Sequence, residues 1–542
     1  MEVEGLEEGS SHRQADGWGA HAMTAIGIAC VQLEAKDLEH AEEALGRALD
    51  RVEEAGRYQP EIILLPECTY PAYYLHSLEA YRRSEPRPVE EILRLFGEKA
   101  RRHRAYIAVG LARPHPSGRL RNSVALMDPQ GQVLGFHDKL FLWHFDREWF
   151  DPGSELPVFD LPFGRVGLMI CADARMPEIP RALALRGARL ILDATALVTA
   201  TGAPGARTNP QVLYMLPARA MENGVWIAVA NKVGMEADSV VYCGRSGVIA
   251  PDGQYRAMGS PDREEIVLAE VDPEAAPGPR VRPDAWDPLL TAPHENLPIA
   301  RWLQEPIPPD ALYLRMGLLQ LRAYPTTTQW IQRVATLGET LIRQGASLLV
   351  VSGLPPDPDP SALEALEALS AQWSCGWIVP FPEKGEAGST GAALHLLDRG
   401  RWIGRHPGDR RAGSPVYSIG GGMVGVLWES EGWAPEIARG AMLRGAELLI
   451  WWVSAAASDL HTLARARADE NRVFVALAAP PDQAEGVASG VFDPLGQPLA
   501  TGVPGAEHGI FVSLFRPLTR HKEMAPGSHV VFSRRPETFM GS

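Results

Sequence analysis

The sequence predicts an α/β layered fold, built twice in one chain of 542 residues. Three observations carry this. The chain repeats itself, with RVGLMICADARMPEIPRALALRGARLILDA answered by MVGVLWESEGWAPEIARGAMLRGAELLIWW without a gap at a constant offset of 258. Each copy alternates short β-branched runs with amphipathic helical stretches. Turn signals such as DPQGQ and PDGQ separate some of the runs as antiparallel hairpins.

Taken in order, the elements pair off. IGIACVQLEA at 26–35 is matched by YLRMGLLQLRA at 313–323, each a strand-like apolar run followed by a long helical pattern ending near a glycine. PEIILLPE at 60–67 is matched by ASLLVVSG at 346–353. After the long gapless match, ARAMENGVWIAVA (218–230) meets ARADENRVFVALA (466–478), and SGVIAPDGQ (246–254) meets SGVFDPLGQ (489–497). Five matches in one order are not chance. Between the copies, about 273–310 is rich in proline and poor in periodicity, the end of copy one followed by a linker. The expected organisation is a disordered, acidic and polar tail at 1–23, a first domain at 24–290, a Pro-rich linker at 291–310 and a second domain at 311–542, with Met1 or Met23 as the start.

Composition narrows the function classes. The chain is 45% hydrophobic and 22% charged, with no apolar run long enough to span a bilayer. A net charge of −15 argues against nonspecific binding to nucleic acid or to an anionic membrane. The five cysteines show no spacing suited to zinc and no disulfide framework, which fits a reducing, cytoplasmic home. Of 52 basic residues only six are lysines, at 36, 99, 139, 232, 384 and 522, so a lysine inside a motif is informative.

Copy one holds the pointed chemistry. LLPECTYP sets Glu67 at the end of an apolar strand, HDKLFLWHFDREWFDPG sets Lys139 in an aromatic-rich loop with Glu148 nine residues on, and VGLMIC runs a strand into Cys171 before a helical pattern. A strand–turn–helix corner exposes a nucleophile and leaves free backbone N–H groups beside it. Each residue has a plainer explanation alone: a small buried thiol, a solvated strand end, a snorkelling lysine, an ordinary ion-pair partner. The ordered set of Glu, Lys and Cys is what points to catalysis.

With these motifs copy one resembles the carbon–nitrogen hydrolase (nitrilase) superfamily over nearly its whole length. Glu67 in LLPE matches the family's catalytic glutamate, Lys139 in HDK its lysine, Cys171 in CADARMPE its nucleophile, and Glu148 before WFDPG a second glutamate that supports the lysine. The resemblance implies a four-layer αββα sandwich in two tandem copies, and a helical face through which copies pair. It also implies hydrolysis through a thioester on Cys171, with no metal and no organic cofactor. A desolvated Glu67 has a raised pKa and can cycle protons, while Lys139 and the Ala172 N–H suit an oxyanion. CADARMPE lies nearer the pattern of amidases and carbamoyl-amide hydrolases than the Cys-Trp-Glu of true nitrilases, so a small amide or N-carbamoyl compound is the expected substrate. Nitrile hydrolysis, acyl transfer by the same triad, and a noncatalytic scaffold are the alternatives. Tyr70, Tyr73, Tyr74, Trp143, His144 and Ala172 are candidate pocket walls, and Arg175 is placed to grip a substrate carboxylate or to pair with an acid such as Glu178.

Copy two keeps the frame and drops the chemistry. Gly353 stands at the glutamate, Gly408 or its neighbour at the lysine, and Glu429 at the cysteine; His406 to Glu429 is 11 positions shorter than His137 to Cys171. Its expected job is structural, as the second half of an intrachain pseudo-dimer, with further association of whole chains open.

Overall fold

The computed structural model describes residues 25–199, 207–280, 287–384, 390–407, 415–455, 459–481 and 488–539. The tail expected at 1–23, Met23 and Gly408 lie outside the described residues. Each copy places two mixed β-sheets face to face between helix layers, an αββα sandwich repeated in tandem.

In copy one the first sheet runs Lys232–Val233, Ile26–Glu34, Ile62–Leu64, Tyr106–Pro114, Leu120–Met127, Val133–Asp138, with Glu265–Val271 antiparallel to Ile26–Glu34. The second runs Tyr255–Met258, Gly247–Ile249, Trp226–Ala230, Leu190–Ala194, Gly164–Ile170, Val158–Leu161. The parallel strands at the centre of both sheets are covered on both faces, which is why IIL at 62–64 and LILDA at 190–194 read as unbroken buried runs. Ile28, Leu64, Val124, Leu168 and Leu192 fill the seam between the sheets. Leu45, Ala48, Val52 and Ala55 form one helical stripe that seals the outer face of the first sheet. The helices Glu178–Leu185 and Leu216–Asn223 seal the second sheet through Ile179, Leu183, Leu216 and Ala220.

Copy two repeats both sheets with the same neighbours, from Arg401–Pro407 to Tyr313–Gln320 and His508–Phe515, and from Val416–Ile419 to Pro498–Thr501, except that the Lys232–Val233 strand has no counterpart among the described residues. Its inner helices Pro435–Leu443 and Leu460–Asn471 pack against the inner helices of copy one. The Pro-rich stretch expected as a linker is packed rather than loose. Leu290, Leu297 and Ile299 share one buried cluster with Met442 and Leu443 of copy two, and Asp287 meets Arg444 at 3.0 Å. The C-terminal segment makes the reverse crossing: Ser528 Oγ accepts from His144 N at 2.8 Å and donates to Leu142 O at 3.1 Å.

The copies meet on buried charge. Arg219 donates to Glu222 Oε1 (2.7 Å) and Glu470 Oε2 (2.6 Å), while Arg467 donates to Glu470 Oε1 (2.7 Å) and Glu222 Oε2 (2.5 Å). Each glutamate thus bridges both arginines, and all four side chains are inaccessible to solvent. The two halves of this ring are the same motif, RAMEN at 219–223 and RADEN at 467–471. Burial alone would raise the Glu470 carboxyl, but the Arg467 and Arg219 charges outweigh it and hold it below its ordinary value. Flanking pairs repeat the exchange, Arg181 to Glu436 at 2.8 Å and Arg439 to Glu178 at 2.9 Å.

Removing one member leaves two guanidinium groups facing a single carboxylate in the interior, so Glu470→Ala is expected to lower the unfolding free energy by about 3–5 kcal/mol. Arg94→Ala, which breaks only the exposed Arg94–Glu98 pair, is expected to shift it by no more than about 0.5 kcal/mol. Urea unfolding of both variants checks this, and a loss under about 1 kcal/mol in Glu470→Ala would contradict it.

Candidate active site

The strand Gly164–Ile170 delivers Cys171 onto a corner with φ of 49°, from which a 3-10 turn, Cys171–Arg175, leads toward the next helix. A left-handed φ on a non-glycine residue is costly and persists only when its surroundings hold it. Four groups hold this one. Cys171 N donates to Asp193 Oδ1 (2.8 Å), and Gln211 Nε2 donates to Cys171 O (2.9 Å). Asp173 Oδ2 accepts from Ile170 N (3.0 Å), and Arg219 Nε donates to Ala174 O (2.8 Å). The last bond ties the Cys171 turn to the charged ring between the copies.

Asp173 also carries the lysine loop. Its Oδ1 accepts from Leu140 N (3.0 Å) and Phe141 N (2.8 Å), and His137 Nε2 lies 2.9 Å from its Oδ2. Lys139 is therefore fixed to the same turn as Cys171. Its Nζ reaches Glu67 Oε1 at 2.7 Å and Asp146 Oδ2 at 2.6 Å, and none of the three side chains is exposed. Glu67 follows the strand Ile62–Leu64; its Oε1 also accepts from Asn122 Nδ2 (2.6 Å), while its Oε2 accepts no hydrogen bond from the described residues. The chain passes so close here that a Cβ on Gly110 would sit 2.7 Å from Glu67 Cα, so only glycine fits.

The electrostatics follow from one ammonium facing two carboxylates in a dry site. Burial raises Glu67 above its ordinary value, opposed by the Lys139 charge and reinforced by Asp146. Burial alone would lower Lys139, but Asp146 and Glu67 together outweigh it and keep the lysine charged. Burial also pushes the Cys171 thiol well up; the Glu67 charge adds to this and Lys139 opposes it. Asp193 is pushed well above the carboxylate range by burial, against the pull of the Cys171 N–H.

The expected site residues separate into three groups. Glu67, Lys139 and Cys171 are brought to one place. Glu148 is not: it lies exposed on the short helix Asp146–Trp149, and Asp146, two residues earlier, turns inward onto Lys139. Asp146 is further held by Tyr73 OH (2.9 Å) and Trp143 N (2.9 Å). Tyr73 is thus a prop for the lysine's counter-ion rather than a free pocket wall. Ala172 is buried behind the turn among Leu140, Met169 and Ala174. His144 is exposed and meets the C-terminal segment, and the half-buried Tyr74 packs edge-on against Phe145 and Trp149. Tyr70 points away from Cys171, with its hydroxyl on Glu42 (3.3 Å) beside a surface cleft of about 600 Å³ that none of Glu67, Lys139 or Cys171 lines.

Arg175 does not pair with Glu178, which meets Arg439 instead. Its guanidinium stacks on Trp143 at 4.6 Å and donates to Gln211 Oε1 (3.0 Å) and Asn209 Oδ1 (3.4 Å), with no carboxylate in ion-pair range among the described residues. Asn122, Asp146, Asp193 and Gln211 are contributions that sequence reasoning missed; only Asp146 carried a signal, as a second acid in the loop that holds Glu148.

Copy two keeps the corner with Glu429 in place of Cys171. Glu429 has φ of 44°, and His406 Nε2 lies 2.6 Å from Glu431 Oε2 as His137 does from Asp173. Trp451 replaces Asp193 and donates from Nε1 to Glu429 O (2.8 Å), while Trp452 and Trp428 stack at 4.2 Å where copy one has Ala194 and Ile170.

Comparison with known proteins identifies the family. The carbon-nitrogen hydrolase family model matches residues 27–277 and again 361–513. A nitrilase of Pyrococcus abyssi is 30% identical over 249 residues, covering 46% of this chain and 90% of that protein. An omega-amidase of Bos taurus is 31% identical over 260 residues, covering 46% of this chain and 90% of that protein. Among solved structures, an amidase from Nesterenkonia sp. is 26% identical with a TM-score of 0.41, covering 47% of this chain and 94% of that one. The chain belongs to the carbon–nitrogen hydrolase family and carries its fold twice, with a degenerate second copy.

Proposed function

We propose that this hydrolase cleaves the C–N bond of a small amide or N-carbamoyl compound through a thioester on Cys171. The observation that carries this reading is the buried Glu67–Lys139–Asp146 cluster fixed to the same turn as Cys171. Lys139 and Asp146 cancel as an ion pair, which leaves Glu67 as the carboxylate able to gain and lose a proton. Its unbonded Oε2 takes the proton from the thiol as sulfur attacks the carbonyl carbon. Burial raises both the acid and the thiol above their ordinary values, so Glu67 holds a proton more tightly than an exposed carboxylate does. Lys139 Nζ and the Ala172 N–H receive the oxyanion, a contribution of about 3–4 kcal/mol for one such donor. Glu67 then protonates the leaving nitrogen as the C–N bond breaks. Water attacks the thioester, Glu67 takes its proton, and the acid leaves with the thiol restored.

Arg175 supports a substrate that carries a carboxylate. A buried guanidinium stacked on Trp143 and met, among the described residues, by the amide oxygens of Gln211 and Asn209 favours an incoming anion. The relatives named above include an omega-amidase, which is consistent with an amide substrate. Copy two we assign the place of a partner subunit, with the RAMEN and RADEN helices as the paired face. Because Arg219 also grips Ala174 O, Glu470→Ala is expected to slow Cys171 as well as weaken the fold. The five cysteines, all free and buried, fit a cytoplasmic enzyme.

Incubation with a pool of small amides and N-carbamoyl amino acids is expected to release ammonia and to add an acyl mass to the protein. Cys171→Ala abolishes the adduct and Glu429→Ala leaves it; a pool that yields neither ammonia nor adduct would defeat the reading. Asp146→Ala is expected to lower kcat about a hundredfold or more, as for loss of an electrostatic support at the reacting centre, while Glu148→Ala stays within about twofold. Equal losses in steady-state assays would restore Glu148 to the site. The base works deprotonated, so kcat/KM falls as pH falls through the raised Glu67 value. The Asn122 bond favours ionised Glu67, so Asn122→Ala raises that value further and moves the acid limb to higher pH; a limb that stays put or moves down would exclude Glu67 as the base.

A further inference from the structure

The chain contains its own control. Polar groups kept in both copies serve the shared frame: Gln32 and Gln320 each accept from a serine N at 2.8 Å, from Ser246 and Ser489. Groups kept only in copy one belong with the chemistry that copy two lost. Among the described groups of this kind is a buried charge that neither the triad nor its props account for. Lys232 is one of only six lysines, is 4% exposed, and directly follows Asn231, whose N–H bonds the Ser246 hydroxyl of the frame. The repeat puts Pro480 in its place, just as it puts Gly353 and Leu354 at Glu67 and Cys68.

Lys232 reaches the residue after the proposed base. Its Nζ donates to Cys68 O at 3.1 Å and to Glu236 Oε1 at 2.8 Å. Cys68 has φ of 42°, a second left-handed non-glycine residue in the site, and it fixes the direction in which the Glu67 side chain leaves the strand. Glu236, 1% exposed, is itself locked, since its Oε2 accepts from Tyr74 N (2.8 Å) and Tyr242 OH (2.9 Å). Tyr242 packs edge-on against Tyr73 at 6.5 Å, and Tyr73 holds Asp146. The lysine is thus one end of a buried brace that returns, through aromatic contact, to the other side of Lys139.

We propose that Lys232, anchored by Glu236, is a positioning residue for Glu67: its ammonium pins the Cys68 carbonyl and with it the left-handed turn that aims the carboxylate at Cys171. The inference rests on Glu67 acting as the base in the reaction proposed above. A base displaced by a fraction of an ångström to 1 Å loses much of its effect, about a hundredfold at the upper end.

The test needs no knowledge of the substrate. Iodoacetamide alkylation of Cys171 in the full chain, followed by peptide mass over a range of pH, reads how well Glu67 accepts the thiol proton. Lys232→Met is expected to slow it ten- to hundredfold near neutral pH and to shift its pH profile, with a cooperative thermal transition retained. Lys232→Arg, which keeps a donor, is expected to recover part of the rate. If Lys232→Met does not fold, Glu236→Gln replaces it, keeping the side chain's shape while removing the anchor's charge, with a loss of about tenfold expected from partial displacement of the base. A folded Lys232→Met chain, or failing that Glu236→Gln, that is alkylated within twofold of wild type at every pH overturns the proposal. Glu67→Gln separates the causes: if it slows alkylation while the lysine variant does not, the brace is wrong. If Glu67→Gln itself reacts normally, Glu67 is not the base, and the brace falls with it.

Discussion

The closed ring of Arg219, Glu222, Arg467 and Glu470 is the constraint on which the rest of the molecule depends. Four charges without solvent are tolerable only when each oxygen and each guanidinium edge is matched, and the match here needs two residues from each copy. Each inner helix layer supplies half of the ring. The hydrophobic cluster around the ring has the same property, since Tyr214, Met215 and Ala218 of copy one share it with Leu463, Ala464 and Trp451 of copy two. The crossing tails, Leu290–Ile299 onto copy two and Ser528 onto the lysine loop, add covalent continuity to that contact.

The ring also reaches the chemistry. Arg219 spends its third donor on Ala174 O, inside the turn that begins at Cys171, and Arg467 does the same to Gly432 O in the turn that begins at Glu429. Tyr214 binds Asp469 of copy two at 2.6 Å, while Gln211, one turn earlier, holds Cys171 O. Elements that meet copy two and elements that hold the sulfur are the same elements. The candidate site is thus braced by elements that also contact the second copy.

Much of this was legible in the sequence, for physical reasons that can be named. The repeat was visible because two copies of one sandwich must bury the same strands, and Glu67, Lys139 and Cys171 stood out because strand ends and a rare lysine mark them. Asp146 was not, because two acids lie two residues apart in one loop and only the helical turn at Asp146–Trp149 decides which faces inward. The partners of Arg219 and Arg181 were hidden by sequence separation of about 250 residues, although the repeated RA-x-EN words carried the information. The packing of the Pro-rich stretch was not legible for another reason: proline-rich chain without periodicity can be laid on a neighbour by a few buried apolar side chains.

The persistence of the corner in copy two then has a physical account. A left-handed residue at Glu429 is strained, and without a nucleophile to present it has no catalytic justification. Gly432 O must nonetheless be offered to Arg467 at 3.0 Å, and the His406–Glu431 pair must hold the turn that offers it. The corner is an interface element in both copies, and only in copy one does it also carry a thiol. Trp451, Trp452 and Trp428 stand where copy one has Asp193, Ala194 and Ile170, so the exchange brings larger buried side chains to these positions. The stacked Trp428 and Trp452 close the seam between that half's own sheets, while Trp451 on the opposite side of its strand joins the cluster that the first half shares.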